Sequence, residues 1–260
     1  MSRPADEQDH VQVDVADLLG LPPRARFSER LSKKVLREQI GGGGGTSEAR
    51  LLDKVVASAR VVGVLRPETI QVPAHRQADR EITDIAVLHV EPVPGTTAGE
   101  RRRLVELIQR AMPRPVVLLL DGPGQLAELS LALTHINRTD PERQTSVIDF
   151  AISVLVDDLA PGSLSLPRCD HTDLWALYGD LVRLAASGGR PAGAGLSAQE
   201  AVELHHHLRA QEAELDAAVR EAKRAPAQRD RIAWNTRAKA LRDSMATLRD
   251  RLYSSDSIEQ

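Results

Sequence analysis

Basic side chains crowd the last long segment of the chain. Between positions 224 and 251, eight Arg or Lys residues stand against only three Asp residues. Arginine and lysine on an exposed helical face can bind the phosphates of a nucleic acid without reading its sequence. The residues that would carry this binding are Arg229, Arg231, Arg237, Lys239 and Arg242. A nucleic-acid-binding helix is therefore one hypothesis for this segment.

The same charges also have a structural explanation. A coiled coil keeps charged residues on its solvated faces, where they pair with opposite charges of the neighbouring helix. The preceding segment supplies the acidic partners Glu203, Glu212, Glu214 and Glu221. The sequence favours this explanation, and phosphate binding is the alternative.

An apolar stripe runs through the basic segment at alternating steps of four and three residues. Its members are Trp234, Ala238, Leu241, Met245, Leu248 and Leu252. A second stripe lies in 197–223, and the proline-containing stretch 224–228 separates the two. Two striped helices joined by a short break predict an antiparallel hairpin. We expect Trp234, Leu241, Met245 and Leu248 to pack in its seam or against a partner protein. The sequence leaves open whether the hairpin closes on itself or pairs with another chain.

Acidic residues at apolar strands raise a third hypothesis. Asp84 falls within an apolar alternating stretch, and Asp121 follows "VVLLL". A divalent-metal nuclease needs two or three acids and a lysine around one ion. The neighbouring segment "LAELSLA" offers only Glu128. A nuclease centred on Asp84 is therefore the third hypothesis, after the accessory and nucleic-acid-binding ones.

The histidine run and the single cysteine predict no further chemistry. Consecutive helical residues point about 100° apart, so His205–His207 cannot close on one metal ion. Cys169 is the only cysteine, which excludes an intrachain disulfide and a cysteine-based zinc cluster. We therefore predict no catalytic residue, no metal site and no cofactor.

Net charge and hydropathy restrict where this protein can bind nucleic acid and in which cellular compartment it is expected. The net charge of −3 confines any nucleic-acid contact to a local basic patch. The opening "MSRPADEQDHVQVD" has no apolar core of a secretory signal, and no apolar run approaches the roughly 18–20 residues of a membrane span. We expect a cytoplasmic protein without membrane contact.

The elements that must position these residues form an α+β fold. We predict a mostly antiparallel sheet with packed helices, in the order β-β-α-β-β-β, followed by a C-terminal helical hairpin. The predicted helices are a short one capped by Asp14, then 29–40 capped by Ser28, 48–60, 97–112 and 170–187. The predicted strands are a hairpin of 68–73 with 82–92, then 116–122, 126–136 and 146–156, with a helix as the alternative for the last segment.

Composition shifts along the chain predict its domain boundaries. The chain is divided into a disordered N-terminus over 1–13, an α+β domain over 14–187 with a flexible glycine loop at 41–45, a linker at 188–195, a helical hairpin over 196–253 and a tail over 254–260.

Six segments in order resemble a known family. They are "LPPRARFSERLSKKVLREQI", "LLDKVVASARVVGVLRPETI", "EITDIAVLHV", "IQRAMPRPVVLLL", "LSLALTHIN" and "RDRIAWNTRAKALRDSMATLR". The series resembles a bacterial domain-of-unknown-function family whose members are encoded beside Swi/Snf-type helicases and DNA methyltransferases in restriction-like or phage-defence clusters. The resemblance covers about 14–252. The pentaglycine insertion, Pro226, and Ala227-Gln228 in place of an aromatic residue depart from the family pattern.

The resemblance implies a setting in antiviral defence or DNA modification but no reaction. The leading hypothesis is a non-catalytic accessory subunit that contacts a helicase or DNA methyltransferase partner. A nucleic-acid-binding module is the alternative, and a divalent-metal nuclease is third. The oligomeric state is left open.

Overall fold

A computed structural model describes residues 13–41, 46–77, 80–136, 146–193 and 195–253. All but the last residue of the N-terminus predicted to be disordered over 1–13 lies outside these residues. So do most of the predicted glycine loop and the predicted tail at 254–260. The chain divides into two compact units, one up to Leu181 and one from Val182.

A six-stranded sheet forms the centre of the first unit. Its strands are β1 (Arg26–Arg30), β2 (Val56–Leu65), β5 (Ile85–Pro92), β6 (Val116–Leu120), β7 (Glu128–Ile136) and β8 (Ser146–Leu155), in that spatial order. Two short strands, β3 (His75–Gln77) and β4 (Arg80–Ile82), pair separately. Every neighbouring pair in the large sheet is antiparallel except β5 with β6. The predicted α+β class with a mostly antiparallel sheet is confirmed.

The helices divide between the two units. Those that begin in the first are α1 (Val15–Leu18), α2 (Lys33–Gly41), α3 (Thr46–Val55), α4 (Pro67–Ile70), α5 (Ala98–Ala111) and α6 (Leu174–Ala186), whose last residues belong to the second. The second unit continues with α7 (Ala198–Arg224) and α8 (Gln228–Leu252). The predicted cap of the first helix is confirmed, because the Asp14 carboxylate accepts the backbone N–H of Ala16 at 2.8 Å.

The main core lies between α2, α3, α5 and one face of the sheet. Leu52 of α3 and Leu104 of α5 pack in one cluster with Leu88 of β5 and Leu118 of β6. Every residue of β6 is buried, and in β5 only Glu91 is not. A strand that is covered on both faces has a continuous apolar sequence, and the sequence "VVLLL" of β6 is an example.

Tyr178 of α6 fixes the opposite face of the sheet at the end of the β6–β7 ladder. That ladder ends at the pair Val117–Leu131. Beyond it, the Tyr178 hydroxyl donates to the Val116 carbonyl at 2.8 Å and accepts the Ala132 N–H at 3.0 Å. The hydroxyl thus satisfies two buried backbone groups that the strands would otherwise bond to each other.

The prediction of a hairpin between 68–73 and 82–92 is wrong. The first of these segments contains the helical turn α4, which begins at Pro67, and the true antiparallel neighbour of β5 is β2. Proline suits the first position of a helix because its fixed φ fits and its missing N–H costs nothing there. The segment 68–73 is therefore not a strand.

Two predicted helix boundaries also differ. The helix predicted over 48–60 ends at Val55, and the valine-rich β2 begins at the next residue because β-branched side chains favour strands. Ser28 was predicted to cap a helix but lies in β1. Ser32 takes that role, since its hydroxyl accepts the Val35 N–H at 3.2 Å.

The second unit is an antiparallel helical hairpin closed at its base. A capping box begins α7, in which Ser197 accepts the Glu200 N–H and the Glu200 carboxylate accepts the Ser197 N–H. The short stretch around Pro226 separates α7 from α8. Gly193 donates its N–H to the Leu252 carbonyl at 3.0 Å. A Cβ at position 193 would lie 2.7 Å from the Arg251 carbonyl oxygen, so this contact requires glycine.

Candidate functional site

The seam of the hairpin is filled by residues of this chain. In α8, Ala238, Met245 and Leu252 are buried, with Met245 only 3% exposed. Trp234, Leu241 and Leu248, which were predicted to pack in the seam or against a partner, are half-buried. The buried residues of α7 are Ala201, Val202, Leu204, Leu208, Ala218 and Ala222. The apolar stripes therefore meet each other within one chain.

Polar contacts flank this seam on both sides. Arg237 lies 3.1 Å from Glu214, and Arg249 lies 3.2 Å from Glu212. The Gln211 side chain donates to the Ser244 hydroxyl at 2.9 Å. Exposed pairs of this kind each contribute about 0.2–1 kcal/mol and mainly set the register of the helices.

The predicted pairing between the helices is therefore partly correct. Glu212 and Glu214 pair with arginines of α8 as expected. Glu221 instead lies 3.8 Å from Arg224 of its own helix, and Glu203 accepts from Gln199 at 3.0 Å. Only part of the basic charge of α8 is consequently neutralised by α7.

Five cations of α8, namely Arg229, Arg231, Lys239, Arg242 and Arg251, form no ion pair in the described part of the chain. Arg229, Arg231, Lys239 and Arg242 are exposed. At 100° per residue, Arg231, Lys239 and Arg242 lie within about 80° of one another around the helix axis and extend over about 16 Å of its length. We call these three residues the basic face. Ile232, 57% exposed, adjoins it.

The structure does not bring the two strand carboxylates together. Asp84 lies in the turn between β4 and β5 and pairs with Arg114 at 2.7 Å. Asp121 follows the far end of β6, which runs parallel to β5 with Val90 opposite Leu120. At about 3.3 Å per residue, the two acids are about 23 Å apart along the strands. Asp84 thus has the surroundings of a structural salt bridge.

The histidine run and the cysteine have structural surroundings as well. The His205 Nδ1 lies 2.9 Å from the Ala186 carbonyl oxygen, and burial lowers the pKa of this imidazole. Cys169 is buried. Within the described ranges, no group of three or more His, Cys, Asp or Glu residues is placed to hold a metal ion.

Sequence reasoning missed a row of two arginines and a histidine that crosses three neighbouring strands of the sheet. Arg30 of β1 lies opposite Arg60 of β2, and Arg60 lies opposite His89 of β5. Residues directly opposite in a sheet point to the same face. The row was missed because Arg60 was assigned to a helix and β5 was given the wrong neighbour. A correct β2–β5 register would have revealed it.

Sequence comparison identifies the family. The pattern of a domain of unknown function, DUF4391, matches residues 19–245. The chain belongs to the DUF4391 family. The match includes the sheet, α7 and most of α8, so the hairpin is part of the DUF4391 region. No curated protein and no solved structure gave a significant match. Among the described residues, no helix of this DUF4391 protein has the length and apolarity needed to cross a membrane.

Proposed function

We propose that this DUF4391 protein is a non-catalytic accessory subunit that contacts a larger nucleic-acid-processing protein, such as a helicase or a DNA methyltransferase. The observation that carries the proposal is the form of α8. Its apolar side is used inside the hairpin, while its basic face and Ile232 point outward without ion pairs in the described part of the chain. A cationic surface with one exposed aliphatic residue fits an acidic patch on a partner.

The closed seam supports a contact surface rather than a reactive centre on the hairpin. Two helices that pack along their whole length form a stiff scaffold, which presents the basic face without an ordering cost on binding. Partner binding through the seam residues Trp234, Leu241, Met245 and Leu248 would require opening the hairpin. Their proposed role is therefore to hold α8 in position.

Co-purification with the products of the adjacent genes tests this proposal. We expect the full chain to recover a helicase or methyltransferase. The variant R231E/R242E should lower that recovery about tenfold or more, because like-charge contacts replace attractive ones. The control R102E/R103E reverses two exposed arginines of α5 and should leave recovery unchanged. Equal recovery for both variants, or recovery of no such protein, would contradict the proposal.

Nucleic-acid binding is the second candidate, and the absence of ion pairs at Arg229, Arg231, Lys239 and Arg242 within the described residues favours it. Each phosphate contact adds about 0.9 to the slope of log affinity against log salt for duplex DNA. We expect R231Q/R242Q to reduce that slope by about 2 in gel-shift titrations, with R102Q/R103Q as the control. A chain that retards neither duplex nor single-stranded DNA or RNA at low salt would eliminate this candidate.

A further inference from the structure

A cleft opens on the first unit where the edge of the sheet meets the segment before α1. Its volume is about 600 Å³. It is lined by Val13, Asp14, Val15, Ala16, Arg26, Phe27, Ser28, Arg60, Val62 and His89. This volume lies within the usual range for sites that bind small molecules.

The cleft contains one arginine that forms no salt bridge with a described residue. Arg60 is exposed, and neither it nor the neighbouring Arg30 forms a salt bridge within the part of the chain that the structure describes. Like charges directly opposite in a sheet are destabilising. Two unpaired guanidinium groups side by side, with a histidine next in the row, therefore form a site that an anion would stabilise.

The other charged groups of the cleft are already engaged. Arg26 donates through Nε to the Leu21 carbonyl at 2.6 Å and pairs with Asp17 at 2.5 Å. The Asp14 carboxylate accepts backbone N–H groups of α1. Because Arg26 is held in place and Asp14 is occupied as a cap, Arg60 is the cation of the cleft that is available to a ligand.

His89 forms the floor of the cleft and is held from behind. Its side chain is 8% exposed and is hydrogen-bonded to the backbone of Asp121. Asp121 is 1% exposed, and its carboxylate accepts the Val13 N–H at 2.8 Å. Burial lowers the pKa of His89, so this neutral imidazole shapes the floor of the cleft and leaves anion binding to the arginine beside it.

An aromatic wall completes the cleft. Phe27 lies on β1 and is 43% exposed, although the whole chain contains only two phenylalanines. An exposed aromatic ring gives a planar base a stacking surface. The guanidinium of arginine can bind a phosphate through two parallel hydrogen bonds.

We propose that this cleft binds a mononucleotide, with its phosphate on Arg60 and its base against Phe27. The combination of a planar apolar wall with a cationic end distinguishes this ligand from a simple anion. Arg30, just outside the cleft, adds to the attraction for the phosphate. The proposal concerns the sheet unit alone and is independent of any contact made by α8.

Calorimetric titration of the full chain tests the proposal with 5′-AMP, adenosine and inorganic phosphate. We expect 5′-AMP to bind and adenosine to bind at least about tenfold more weakly, since it lacks the charge-assisted contacts. Arg60→Ala should weaken 5′-AMP about tenfold or more, and Arg60→Lys by less. Phe27→Ala should also weaken 5′-AMP about tenfold, through lost stacking.

Arg60 and Phe27 are exposed, so these variants should fold, and circular dichroism checks that they do. Arg102→Ala, which removes an exposed arginine of α5, is the matched control and should leave 5′-AMP affinity unchanged. No heat from 5′-AMP at millimolar concentration would overturn the proposal. So would equal affinity for inorganic phosphate and 5′-AMP with no effect of Phe27→Ala, because the base would then play no part.

Discussion

Tyr178 shows how one side chain can complete a sheet. Its hydroxyl satisfies the Val116 carbonyl and the Ala132 N–H just beyond the paired part of β6 and β7. Burial raises the pKa of this phenol well above its ordinary value, so the hydroxyl stays neutral and keeps its proton to donate. The tyrosine is therefore part of the backbone hydrogen-bond pattern as well as of the core.

Tyr178→Phe should lower the free energy of unfolding by about 1–3 kcal/mol. The buried Ala132 N–H loses its partner, and the Val116 carbonyl keeps only the longer bond from the Gln109 side chain at 3.4 Å, while the ring still fills its space. Urea denaturation followed by circular dichroism measures this change. Tyr253→Phe, at the end of α8, serves as a control that removes a less buried hydroxyl. A Tyr178→Phe protein as stable as the parent would show that the two backbone groups find other partners.

Two histidines should make the stability depend on pH. Burial lowers the pKa of both His89 and His205 below the ordinary value of 6.5. Asp121 and Glu91 oppose the shift at His89, and Arg60 adds to it. At His205 the Ala186 carbonyl and Glu212 oppose the shift, while Arg209 and His206 add to it. Each histidine is therefore more easily protonated in the unfolded chain.

Above pH 6.5 these two histidines should therefore not change the free energy of unfolding with pH. Below pH 6.5 the free energy of unfolding should fall as the pH falls. The slope is at most about 1.4 kcal/mol per pH unit for each histidine, down to the folded pKa. Urea titrations between pH 7.5 and 5.5 check this, with His205→Gln expected to reduce the slope and the exposed His207→Gln to leave it unchanged. A pH-independent stability would contradict the burial of both imidazoles.

At the scale of elements, the hairpin depends on a seam to which both helices contribute small and large buried residues. Met245→Ala should cost about 2–5 kcal/mol, because it leaves a cavity between helices that cannot fully close. Arg242→Ala, on the basic face, should change stability by less than about 0.5 kcal/mol. Thermal unfolding monitored by helical circular dichroism compares the two. Equal effects would mean that α8 does not pack as described.

The hairpin was predictable from the sequence because the features that specify it lie close together along the chain. The steps of three and four residues in each stripe and the break at Pro226 act within a few turns of helix. The strands β6, β7 and β8 were predictable for the same reason, as continuous or alternating apolar runs. Their bounds in the structure lie close to the predicted ones.

The pairing of β2 with β5 was not predictable in this way. It joins segments about twenty to thirty-five residues apart, and α4, β3 and β4 lie between them. A helical pattern that continued past Val55 concealed the start of β2. The row of Arg30, Arg60 and His89 depends on this register. The cleft therefore could not be found from the sequence, whereas the basic residues of α8 could.

At the scale of the whole molecule, the two units offer chemically different surfaces. The sheet unit has a cleft with a buried histidine, and the hairpin has an exposed basic face. A net charge of −3 gives neither surface a long-range advantage for polyanions, so binding must come from the local arrangement of arginines and lysines. Each surface can be altered without disturbing the other, since their variants fall in separate units.

Site-specific photo-crosslinking in the native host tests the central claim most directly. A photoreactive residue in place of Lys239 should give a covalent adduct with a helicase or DNA methyltransferase that survives nuclease treatment, while the same residue at Arg103 gives none. An adduct that disappears with nuclease would indicate nucleic-acid binding in place of the proposed protein contact. The absence of any adduct at position 239, with the protein expressed and folded, would contradict the role assigned to the basic face.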